Sequence, residues 1–139
     1  MVATVPDCIL RVSGRNFQVN DFLQSSPFQP CKVWRVGEAG VRGVASDSGF
    51  NLVVSSGELL TDQIEGAIRF LRSHAVELKR LCSFPGVEEG SVLDFAIHRR
   101  DVLAQFDSFP VALVRLAAEF KFSLTILQYA AQTDHVNAS

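Results

Sequence analysis

From Leu60 to Cys82 the apolar side chains Leu60, Ile64, Ala67, Ile68, Leu71, Ala75, Leu78 and Leu81 recur at every third or fourth position. That is the spacing of one helix face, and an apolar stripe this long must be covered by another layer of the fold. The spacing predicts a helix over 60–82. Thr61 or Ser56 offers a capping hydroxyl at its start, Asp62 and Glu65 suit the positive N-terminal end, and Lys79 and Arg80 suit the other end. Glu65 and Arg69, four apart in the favourable order, would add about 0.3 kcal/mol. Phe84-Pro85-Gly86 stops the helix.

The other elements alternate with a period of two. Cys8, Leu10 and Val12 share one face of a first strand that Gly14 ends. Asn20-Asp21 can cap a short helical turn through Phe22 and Leu23, which Pro27 and Pro30 then prevent from continuing. A second strand over 31–36 places Lys32, Trp34 and Val36 opposite Val33 and Arg35. Residues 37–49 hold four glycines and are expected to be a loop, joining it to a third strand over 50–55 as a long hairpin. A fourth strand over 91–97 turns Leu93, Phe95 and Ile97 inward and Asp94 and His98 outward. Pro110 stands at the first position of a helix reaching Phe120, and a last strand runs from Phe122 to Tyr129.

The order is therefore β-α-β-β-α-β-α-β, an α+β chain whose first six elements follow the ferredoxin-like β-α-β-β-α-β order, with an extra helix and strand after them. The expected sheet is mostly antiparallel with helices on one face, leaving the other for solvent, a partner or a ligand. A length of 139 residues predicts one domain over 1–139, with an ordered core at about 8–129 and a fraying polar tail at 130–139.

Charge narrows the function classes. The formal net charge is −2, with six basic and seven acidic side chains in 1–69 and seven and eight in 70–139. Neither half carries the basic field that a phosphate backbone requires, so no nucleic-acid partner is expected, while low net charge leaves self-association open. No run of about 18 apolar residues marks a membrane span. The start of the chain lacks the basic and apolar regions of a secretory signal, so the expected location is cytoplasmic. Cys8, Cys31 and Cys82, odd in number and widely spaced, are expected to be reduced core thiols.

Leu10-Arg-Val-Ser-Gly14, then Phe17 and Phe22, then Trp34-Arg-Val-Gly-Glu38 together resemble the bacterial family called domain of unknown function 4279. Its members open with a strand ending in Ser-Gly, continue through a Trp followed by Gly-Glu, and carry a long helix and a terminal strand with a Tyr. In this sequence those features fall on Ser13-Gly14, Trp34, Gly37-Glu38, residues 61–81 and Tyr129. The resemblance runs from about Cys8 to Tyr129, leaves 39–49 unmatched, and implies an α+β fold with no assigned activity and no catalytic residue to transfer.

The residues themselves point to binding. No Cys-x-x-Cys, His-x-x-x-His or His-Glu-x-x-His spacing occurs, and His74, His98 and His135 are scattered, so no metal or other cofactor is expected. No Gly-x-Ser-x-Gly elbow occurs either. Asp94 and His98 share an outward strand face, but at about 3.3 Å per residue they lie about 13 Å apart, too far for a dyad. Gly37 to Gly43, with Arg42, has the glycine content of a phosphate loop but leads into a strand rather than a helix, which favours a hairpin loop. Trp34, flanked by Arg35 and Glu38 at a strand end, is either an interface anchor or a core plug with its charged neighbours paired at the surface. Phe17, Phe22, Phe28, Phe106 and Phe109 fall outside periodic faces and are expected to fold onto the core or to line a pocket or dimer interface.

These observations predict a non-enzymatic protein-binding module, of which an immunity-type protein is one example, or a self-associating one. Its contact would be the open sheet face or an edge strand, with Trp34, Arg35, Glu38, Arg42, Asp94 and His98 as candidate binding residues. The alternative is a small-ligand binder or minor enzyme with a pocket between the long helix and the sheet, near Trp34, Glu38 and Asp94.

Overall fold

The alternation read in residues 8–12 produces the middle strand of the sheet. The computed structural model describes residues 6–130. In it β1 spans Asp7–Gly14, and Cys8, Leu10, Val12 and Gly14 are buried while Asp7, Ile9, Arg11 and Ser13 are half-buried on the other face. There follow α1 (Val19–Gln24), β2 (Lys32–Trp34), β3 (Ala39–Gly40), β4 (Gly43–Val44) and β5 (Ser48–Ser56). The second half of the chain forms α2 (Leu60–Ser73), α3 (Ala75–Cys82), β6 (Val92–His98), α4 (Val111–Glu119) and β7 (Ser123–Tyr129).

Five strands form one sheet in the order β2-β5-β1-β6-β7, while β3 and β4 make a separate two-stranded ribbon. Every pairing in the main sheet is antiparallel except that of β6 with β7. It follows that β1 and β2 run parallel with β5 inserted between them, and that β5 and β6 run parallel with β1 between them. The expected mixed α+β architecture with a mostly antiparallel sheet is therefore present, with four helices among the described residues.

One core joins the sheet to the helices. Leu10, Phe50 and Phe95 of the sheet meet Phe22 of α1, Leu71 of α2, Leu78 and Leu81 of α3, and Leu113 of α4 in a single buried cluster. The aromatics that fall outside the periodic faces contribute much of it. Phe22 stacks on Phe50 at 5.9 Å and meets the edge of Phe84 at 5.3 Å, Phe17 and Phe28 are buried beside it, and Phe109 packs on Phe95 at 5.3 Å. Phe106 is the exception, being 92% exposed.

Five expectations are corrected. The helix over 60–82 is broken at His74, whose φ of −112° and ψ of 25° leave the helical region. The Ser73 hydroxyl donates back to the Arg69 carbonyl, and the His74 ring and backbone N–H both reach the Phe70 carbonyl. Local side-chain bonds of this kind bend helices. Neither Thr61 nor Ser56 caps α2; Leu59 is its N-cap, without a side-chain bond. The buried Gln63 amide instead donates to the carbonyls of Gly57 and Ala96, tying the first turn to β6. The turn containing Phe22 begins at Val19, with neither Asn20 nor Asp21 at its cap. Residues 37–49 are more than a loop, because the Gly37 N–H donates to the Ala45 carbonyl and the Ala45 N–H to the Glu38 carbonyl, extending the β3/β4 ribbon. Finally, only Cys8 is a core thiol; Cys31 and Cys82 are exposed, since the alternation that buries Cys8 does not extend to either.

Glu65 and Arg69 are not among the ion pairs of the described residues. The polar tail expected to fray lies, apart from Ala130, outside the described residues, as does His135. Among the described residues no helix is long and apolar enough to cross a membrane.

Candidate functional site

Strand register decides which side chains share the face turned away from the helices. Ile9 lies between Asp94 of β6 and Val53 of β5, and Arg11 between Val92 and Asn51. One strand further out, Asp94 pairs with Thr125, Ala96 with Leu127 and His98 with Tyr129. On the other side Lys32 pairs with Asn51 and Trp34 with Gly49. The helices place their buried residues in the core on the opposite side.

A cavity of about 340 Å³ opens on this face over β1, β6 and β7. Ile9, Ala96 and Leu127 give it apolar walls, and Asp7, Arg11, Asp94, His98 and Tyr129 give it polar ones. The Arg11 guanidinium donates to Asp94 Oδ2 through Nε at 3.2 Å and Nη2 at 3.0 Å, and the Thr125 hydroxyl donates to Asp94 Oδ1 at 2.8 Å. Both carboxylate oxygens are thus engaged, and the pair ties β1, β6 and β7 together. His98 presents its ring to Tyr129 at 5.7 Å between centroids, and its Nδ1 is buried without a partner.

Trp34, Arg35 and Glu38 meet at the opposite edge of the sheet. Trp34 is half-buried, donates from Nε1 to Asp47 Oδ1 at 2.8 Å, and lies against Gly49, where a Cβ would approach its ring to 2.7 Å. Arg35 grips Asn20 Oδ1 through Nε and Nη2 at 3.0 and 2.6 Å, while Glu38 accepts from the Arg35 backbone N–H at 2.8 Å. The Trp34 ring thus lies half-buried at the end of the sheet, and its neighbours Arg35 and Glu38 pair at the surface.

Asp94 and His98 are therefore brought into one hollow, Trp34, Arg35 and Glu38 into a second cluster, and Arg42 stands exposed in the β3/β4 turn, in neither. Three strand spacings separate β2 from β6, about 14 Å. Trp34, Glu38 and Asp94 hence share no pocket, and the Asp94 hollow lies on the face away from the long helix. A second hollow, about 240 Å³, lies between the start of α2 and residues 100–108, and His98 borders it too.

Sequence reasoning missed Arg11, Thr125 and Gln63. Arg11 and Asp94 were both legible as outward strand residues of opposite charge. What was missing was the knowledge that β1 and β6 are neighbours.

Burial pushes the Cys8 thiol far above its ordinary range, which removes a thiolate nucleophile there. Cys82 is exposed as a residue, but partial burial of its sulfur, which donates to the Phe120 carbonyl, raises that thiol too. Among the described residues no three His, Cys, Asp or Glu side chains gather as metal ligands.

No family model, no curated protein and no solved structure matches this chain. The functional reading therefore rests on the geometry.

Proposed function

We propose that this chain is a non-enzymatic protein-binding module that receives a partner protein on the uncovered face of its sheet. The observation that carries this reading is the exposure of Val53 (38%), Leu127 (42%) and Tyr129 (48%) on that face, around a hollow with charged walls. Exposed apolar and aromatic side chains interleaved with charged groups on one uncovered face are what a partner protein can cover. Binding is favoured over catalysis because Asp94, the best-placed acid of the hollow, is engaged through both carboxylate oxygens by Arg11 and Thr125 as a tie between strands.

Two finer inferences accompany it. The first is that β1, α1, β2, β5, the α2/α3 pair and β6 form a ferredoxin-like core to which α4 and β7 are added. The support is the pair of interleaved parallel relationships, β1 with β2 and β5 with β6. The second is membership in the bacterial domain of unknown function 4279, with a cytoplasmic location. The support is the sequence pattern alone, Ser13-Gly14, Trp34 and Gly37-Glu38 for the family and the absence of a signal-like start for the location.

Capture from a cell lysate tests the main reading when wild type is compared with Val53→Glu and Ala96→Glu on the open face and Val76→Glu on α3. Loss of one captured protein in the first two variants and its retention in the third is expected. Equal capture by all four proteins would overturn the reading. A second reading, a small-molecule site, is favoured by one observation only, the partnerless His98 Nδ1 in the hollow. It predicts that a screen of small hydrogen-bonding compounds by NMR shifts the amides of Ala96, His98 and Leu127 together.

A further inference from the structure

We infer that β7 pairs edge to edge with β7 of a second copy of this chain, joining two sheets into one. The Ser123 N–H donates to the Ser91 carbonyl at 2.8 Å, and the Arg99 N–H donates to the Tyr129 carbonyl at 2.9 Å. At both ends of β7, then, the odd-numbered residues point their backbone groups at the β6 side. In a strand the alternate residues point the other way, so Leu124, Ile126 and Gln128 direct three N–H and three C=O groups off the sheet. Edges of this kind template pairing unless charge, proline, a bulge or a covering element blunts them. β7, Ser-Leu-Thr-Ile-Leu-Gln-Tyr, has no charge and no proline, and its register with β6 is unbroken over seven residues.

A second copy fits this edge for reasons of symmetry. The three outward residues are centred on Ile126, so an antiparallel copy aligned there matches Leu124 with Gln128 of the partner subunit and Ile126 with itself. All six backbone groups of each strand are then satisfied. The same alignment sets Thr125 opposite Leu127 and Ser123 opposite Tyr129, keeping open face with open face and bringing no like charges together. It also keeps both sets of helices on one side of the joined sheet. There α4, which packs between α2 and β7, leaves Val111, Val114 and Ala118 exposed at helical spacing. An apolar helix stripe beside an apolar strand edge is what a twofold contact would cover.

Sedimentation across a dilution series, with amide hydrogen exchange read by NMR, tests this without reference to the open-face reading. A concentration-dependent dimer is expected, in which the amides of Leu124, Ile126 and Gln128 become protected as it forms. Gln128→Pro removes an outward donor and leaves the β6 ladder intact, so the dissociation constant should rise about 30-fold, the equivalent of two ordinary hydrogen bonds. Val114→Lys, on the helix stripe and away from the backbone, should also weaken the dimer while leaving the far-ultraviolet circular dichroism of the monomer unchanged. A monomer at every concentration overturns the inference. So does a dimer in which those three amides stay unprotected, or one that neither variant weakens.

Discussion

The two edges of this sheet are built on opposite principles. The β2 edge is only three residues long, follows Pro30, carries Lys32 with its Nζ 5.9 Å from the Trp34 ring, and leads into the β3/β4 ribbon. Short length, a lysine and an adjoining proline are the usual means of keeping an edge from pairing. β7 has none of these and is more than twice as long. The difference also extends below the sheet, because β2 and its neighbour β5 lie over the aromatic cluster of Phe17, Phe22, Phe28 and Phe50, whereas β7 is held to β6 partly by the polar contact of Thr125 with Asp94. A finished edge over an aromatic core and an unfinished one held by polar bonds suit a scaffold at one end and a contact surface at the other.

Phe22→Ala should break the scaffold end first. Its ring stacks on Phe50, meets Phe17, Phe28 and Phe84, and carries the Arg80 guanidinium 4.1 Å from its centroid. Removing a buried aromatic of this kind costs about 4 kcal/mol. Urea denaturation should show it, with a midpoint lower than that of any β7 variant. A smaller loss than from substitutions in β7 would reverse the comparison.

Gly49→Ala comes next. A Cβ there would overlap the Val12 carbonyl and stand 2.7 Å from Trp34 Cζ2 and 2.8 Å from Ser13 Cβ. The backbone on β1 cannot retreat without breaking its pairing, so the expected cost is about 3 kcal/mol, with a blue- or red-shifted Trp34 fluorescence as a second readout. Unchanged stability and emission would mean that the row from Ser13 through Gly49 to Trp34 is looser than its geometry.

Asp94→Ala probes the other end. It strips Arg11 and Thr125 of their shared acceptor, and since the Asp94 side chain is only 15% exposed the loss should be about 2 kcal/mol. Amide exchange should quicken in β7 and stay unchanged in β2. Uniform quickening across both edges would show that the sheet responds as one body and that the two ends are not independent.

How much of this was legible in the sequence follows from the range of each interaction. Alternation gave the strand faces of Cys8 to Val12 and Leu93 to Ile97, and Pro110 marked the start of α4, though as its extended N-cap and not as its first helical residue, because these depend on near neighbours alone. The break at His74 was hidden because it comes from Ser73 and His74 bonding locally to helix carbonyls, which leaves the apolar stripe intact on either side. Gln63 was hidden for a different reason: a polar residue next to an apolar stripe looks solvated until the carbonyls of Gly57 and Ala96 arrive from elsewhere. Strand adjacency was the largest gap. Asp94 and His98 could be placed on the outward face, but the Arg11 and Thr125 that engage Asp94, and the Tyr129 that faces His98, come from strands whose order no local pattern encodes.

Acid should distinguish the two ends with the smallest effect. Glu77 accepts from Arg80 Nε and Nη2, each at 3.0 Å, and the same Nη2 reaches the Phe22 carbonyl, so this ion pair braces the scaffold end. The Arg80 hydrogen bonds hold the Glu77 carboxyl below its ordinary value of 4.5. A carboxyl lowered by folding contributes stability that is complete above the ordinary value and is lost as pH falls through the lowered one. With Arg80 partly solvated, the contribution should be about 0.5 kcal/mol. Glu77→Gln should therefore lower stability slightly at neutral pH and make its decline below pH 4.5 shallower than in wild type, while amide exchange in β7 stays the same. An unchanged acid limb in that variant would show that the Glu77–Arg80 pair does not brace the aromatic end.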